Sequence, residues 1–124
     1  MRVKPIEHLI STLTEQAKQI EQLEILAAKL VQDPQSVQRY RAVLEEKARL
    51  LAGLAQLALP ITKKMPSEDA TELQQMLNKF SQSAATSLRI GSPFYMSALL
   101  YPQDHRQGQP NDLELFIEQL QQMQ

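Results

Sequence analysis

The sequence predicts an all-α fold: an antiparallel bundle of three long helices, then a short helix and a C-terminal helix. Two observations carry this. Between Ile6 and Val31, the residues Ile6, Leu9, Leu13, Ile20, Leu23, Ala27 and Leu30 recur at steps of three and four, with Gln16 as the interruption. Such steps fall on one side of a helix that turns every 3.6 residues. Two further stripes, Val37 to Ala58 and Ala70 to Leu88, lie beyond Pro-containing breaks at Asp33-Pro34 and between Pro60 and Pro66. A chain of 124 residues is expected to form a single domain with a real hydrophobic core.

Pro5 suits a first helical turn, where its missing N–H costs nothing. Helix one is expected to run from there to about Gln32. Asp33 then caps the second helix with Pro34 at its first position. Helix two continues to about Leu59 and stops at Pro60, so residues 5–60 form one long hairpin. At roughly 25 residues each, these helices would be about 38 Å long. Their stripes are broad, adding Ile10, Ala17 and Leu26 in one and Val43, Ala48, Leu50, Ala55 and Leu57 in the other. A broad stripe fits a bundle better than a two-stranded coiled coil.

Ser67 can cap the third helix, 67–90, with Glu68, Asp69 and Glu72 favouring its positive end. Gly91 suits its C-terminal cap. The aromatic segment 91–102 opens at Ser92-Pro93. A polar loop follows, and Asn111 can cap a last helix, 111–123, with Leu113, Phe116, Ile117 and Leu120 on its apolar side. The stripe of helix three is thin, so a second copy is expected to cover what remains, giving a homodimer. The rival is a monomer with the last two elements folded over helix two.

Composition narrows the function. The chain has no Cys, which removes disulfides, thiolate metal sites and Cys nucleophiles. No targeting signal is visible, and the most apolar stretch, Leu50 to Ile61, falls short of the roughly 20 residues of a membrane span. A cytoplasmic location follows as the expectation. Net charge is −1, but unevenly spread. Residues 34–64 hold six cations (Arg39, Arg41, Lys47, Arg49, Lys63, Lys64) against Glu45 and Glu46, while Arg106 faces four anions (Asp104, Asp112, Glu114, Glu118) from Gly91 onward. Only Tyr40 lies among Arg39, Arg41 and Arg49, and Glu45 and Glu46 dilute their field, so nucleic acid is not the expected partner.

Catalytic patterns are missing. His8 and His105 have no carboxylate or second His one helical turn away. The pairs Glu45-Glu46, Glu68-Asp69 and Glu21 with Glu24 sit on polar faces, where nothing shifts a carboxyl toward catalytic use. With Gly53, Gly91 and Gly108 as the three glycines, no loop can wrap a phosphate. No metal, cofactor or enzymatic activity is expected.

What remains is a binding surface. Residues 90–101 carry Phe94, Tyr95 and Tyr101, half of the six aromatics, together with Met96, and such residues are favoured at interfaces. The alternative for this segment is a buried cap on the bundle. Lys47 falls inside the apolar series of helix two. It is expected to keep its ammonium in water while its stem packs, or to fix register against an acidic partner. Leu54, in a stretch apolar on most sides, completes the candidate partner-binding set.

The stripes from Ile6 to about Leu59 resemble the long antiparallel helices of the small export chaperones of flagellar and type III secretion systems. That resemblance, of periodicity, implies a helical protein that holds an amphipathic segment. The function expected is thus a non-catalytic adaptor or chaperone-like protein that buries a partner helix. A ligand-binding or sensory bundle with a small apolar pocket is the alternative.

Overall fold

A computed structural model describes residues 4–124. It is all-α, with no strand among the described residues. Six α-helices follow in order: α1 (Pro5–Leu30), α2 (Val37–Ala52), α3 (Leu54–Thr62), α4 (Ser67–Ile90), α5 (Pro93–Ala98) and α6 (Asp112–Gln122).

The first helix begins at Pro5 and ends at Leu30, as the stripe and the proline require. The expected cap at Asp33 is real but shifted in use. Asp33 accepts from the Gln35 N–H at 3.0 Å and the Ser36 hydroxyl at 2.8 Å. It thereby holds a 3-10 turn, Pro34–Ser36, before α2 starts at Val37. These bonds favour the ionised carboxylate and hold the Asp33 pKa below its usual value, the Gln35 backbone bond being the larger cause.

The second long helix is broken where periodicity showed continuity. Ser81 inserts its hydroxyl into the ladder at Gly53: Oγ donates to the Leu51 carbonyl and accepts from the Ala55 N–H, both at 3.0 Å. A side chain placed in the ladder is a recognised cause of a helix bend. Pro60 does not end α3, which runs on to Thr62. Pro60 and Gln56 are both exposed, so water can satisfy the carbonyl that proline leaves without a donor. Gln74 of α4 reinforces the joint, donating to the Ala55 carbonyl and accepting from the Thr62 hydroxyl.

Ser67 does not cap α4. It is the first helical residue, and Pro66 occupies the capping position without a side-chain bond. Gly91 does end α4 in the left-handed conformation, φ +71°, where a side chain would be strained. Ser92 caps α5 through the Tyr95 N–H. Asn111 and Glu114 form a reciprocal capping box on α6.

Side-chain bonds from Arg41 to Gly91, Ser81 to Leu51 and Gln74 to Thr62 run α4 antiparallel to the α2–α3 rod. That rod lies between α1 and α4, and α6 packs on α1. Leu113, Phe116 and Leu120 of α6 join Leu9, Leu13 and Ile20 of α1 in the main core, and Phe116 meets Phe80 of α4 with ring centroids 5.9 Å apart. A second cluster, Ala27, Leu44, Ala48 and Met96, fills the end beneath α5. Within the chain, α5 and α6 thus cover part of the apolar stripes. Between them, buried Leu100 adopts φ 78°. That conformation costs a non-glycine residue about 1–3 kcal/mol. It turns the Leu100 carbonyl to the Asp112 N–H at 3.0 Å, which fixes where α6 begins.

Candidate functional site

Lys47 reaches inward, not into solvent. It is 1% exposed, so the expected solvated ammonium is corrected. Position 47 lies on the buried side of α2, one turn from Leu44 and Leu51. Its Nζ meets Glu24 Oε2 of α1 at 3.0 Å and donates to the Ser97 carbonyl of α5 at 3.1 Å. It also lies 5.3 Å from the centre of the Tyr101 ring, within cation–π range. Burial lowers the Lys47 pKa, and the charge of Glu24 pulls it back up.

Tyr101 extends the cluster. Its hydroxyl donates to Glu24 Oε1 at 2.8 Å and accepts from the Asn111 side chain at 3.4 Å. Burial is the main cause pushing its pKa up to about 12. His105 stacks edge-on against this ring at 4.9 Å and contacts the Gln109 carbonyl at 2.9 Å. Glu24, Lys47, Ser97, Tyr101 and Asn111 thus join α1, α2, α5 and the start of α6 through fully partnered groups. Satisfied buried networks of this kind rigidify the elements they join. The sequence singled out Lys47 and Tyr101 but placed Glu24 on a polar face with Glu21; its side chain is instead largely buried in this cluster, and its place on the edge of the α1 stripe was the available signal.

Leu54 and Met96 are both wholly buried, at 0% exposure. Each belongs to the core, because its helix turns that face inward, so neither presents a surface to a partner. The two outward residues of α5 differ sharply: Phe94 is 73% and Tyr95 53% exposed, and they touch edge to face at 5.6 Å. Ile90, at the end of α4, is exposed beside them.

Ile90 and Tyr95 line a concave strip. A groove of about 490 Å³ between α4 and α5 is lined by Ser83, Thr86, Ile90, Tyr95 and Leu99. A second of about 300 Å³, lined by Met76, Lys79, Phe80 and Asp112, shares Ser83 and Leu99 with it. From Met76 to Ile90 the strip follows α4 for about 21 Å at 1.5 Å per residue. The Asp112 carboxyl at its far end has its pKa raised by burial, partly offset by His105.

The end of the bundle that carries Phe94 is basic. The Arg41 guanidinium donates to the Gly91 carbonyl at 3.2 Å, bringing the start of α2 against the α4–α5 turn. Lys29 in the last turn of α1, Arg39 in the first turn of α2 and Arg89 in the last turn of α4 are exposed at this end. Val31 and Val37 are exposed there too.

No group of three His, Asp or Glu among the described residues could hold a metal, and no described helix is long and apolar enough to cross a membrane. Neither a family model, nor a curated protein, nor a solved structure matches this chain.

Proposed function

We propose that the chain is a non-catalytic interaction protein, adaptor or chaperone-like, that receives an amphipathic helix of a partner protein in the strip between α4 and α5. One observation carries this reading: Tyr95 and Ile90 remain exposed while lining a concave strip, with exposed Phe94 against the Tyr95 ring. Large aromatics left in water beside a groove match the anchors by which helices are seated. The strip accommodates about four helical turns. Its floor includes Ser83 and Thr86, short side chains that let a helix approach closely.

A single chain in the cytoplasm suffices for this role. The homodimer expected from the sequence is the other assembly, and light scattering of the purified protein decides between the two.

The test is site-specific photocrosslinking in native cells. A photoreactive residue at Thr86 should yield one protein adduct, abolished by Phe94→Asp with Tyr95→Asp. The same group at Gln119, on exposed α6, should yield none. Equal labelling at both positions would overturn the proposal.

A further inference from the structure

We infer that the helix received in the α4–α5 strip is acidic, with carboxylates flanking its apolar face. This rests on the docking reading above and goes beyond it by naming the chemistry of the partner. Lys29, Arg39, Arg41 and Arg89 surround the end of the bundle where Phe94 and Tyr95 project. Asp33, between α1 and α2, keeps its negative charge, which its bonds to the Gln35 amide and the Ser36 hydroxyl favour, so the four cations outnumber it. Along the strip Lys79 shares its lining with Asp112, so the excess of positive charge lies at the Phe94 end. The field at this end is therefore positive over the distance of about 8 Å at which physiological salt screens charges. Such a field speeds capture of a negative segment and rejects a positive one.

A lipid surface could also use cations with exposed aromatics. A planar bilayer would meet Phe94 but leave the concave floor at Gln82, Ser83 and Thr86 empty. A helix fills that floor, so the geometry favours a peptide.

The experiment is a selection of displayed amphipathic peptides, randomised between acidic, basic and neutral residues at their polar positions. The full chain is the bait, and Phe94→Asp with Tyr95→Asp is the counter-bait. Peptides rich in Asp and Glu should be enriched on the full chain. Arg39→Glu with Arg89→Glu, both at exposed positions, should weaken them by about tenfold and reverse the charge preference. Circular dichroism melts confirm that the variants fold. Enrichment without charge bias would overturn the acidic partner and leave the docking strip standing. No enrichment over the counter-bait would overturn both. Without peptide enrichment, sedimentation with phosphatidylserine vesicles but not phosphatidylcholine vesicles would assign the surface to lipid. Concentration-dependent sizing abolished by the counter-bait substitutions would assign it to a second copy.

Discussion

Lys47 and Glu24 meet at 3.0 Å but are unequally sheltered, the lysine at 1% and the glutamate at 19% side-chain exposure. The pair therefore breaks asymmetrically. Glu24→Gln strands an ammonium that cannot reach water, at a cost of about 3–5 kcal/mol. Lys47→Met leaves a carboxylate that water can still reach, and should cost about 1–3 kcal/mol. Combining the two should cost less than their sum, which denaturant melts of the four-member cycle would measure.

Tyr101 predicts a pH dependence. Its neutral phenol is the favoured form in the fold, with the pKa raised from 10.0 to about 12 by burial first, and with Glu24 also raising it. The unfolded chain releases that proton at the ordinary value. The stability contributed is thus full below pH 10 and is lost as pH climbs from 10 to about 12. Lys47 acts with the opposite sign. Its folded pKa lies below 10.5, so the cost of burying its charge fades as pH approaches that value. Tyrosinate absorbance should show one transition near pH 12 that Tyr101→Phe removes and Glu24→Gln moves downward.

At the joint between α2 and α3, two substitutions should separate cause from permission. Ser81→Ala removes the hydroxyl that serves the Leu51 carbonyl and the Ala55 N–H, and should cost about 1–3 kcal/mol. Gly53→Ala should be tolerated or stabilise by about 0.4–1 kcal/mol. Its φ is −86°, and an added Cβ would meet nothing nearer than the Arg49 carbonyl at 3.5 Å. Thermal melts distinguish this from a break that depends on glycine.

Exposure should also sort the aromatic segment from the core. Leu54→Ala, at a fully buried position, should cost about 2–5 kcal/mol. Phe94→Ala, at 73% exposure, should change stability by no more than about 0.5 kcal/mol. A large loss at Phe94 would mean that its ring serves the fold.

The helical architecture was legible because the stripes are periodic and the breaks carry proline, glycine and a capping asparagine. The joint at Gly53 was not. Buried Leu44, Lys47, Ala48, Leu51, Leu54, Ala55 and Ala58 continue in phase across it, and its cause, Ser81, lies 30 positions from Leu51. The fate of Lys47 was hidden for the same reason. Its partner Glu24 belongs to another helix, and no local pattern announces an ion pair between elements. At the aromatic segment the sequence showed which residue types were present, but the turn of α5 decided that Met96 faces in while Phe94 and Tyr95 face out.

The hydrogen bond between Tyr101 and Glu24 spans 77 positions of sequence. The α1–α2 hairpin can assemble from near neighbours, but this contact closes a loop most of the chain long, and such closure is slow to earn back its entropy. The packing of Leu113, Phe116 and Leu120 on Leu9, Leu13 and Ile20 closes a longer loop still, so docking of the last helix is expected to follow the hairpin. A newly made chain would then pass through a stage at which its own tail is the segment it must catch.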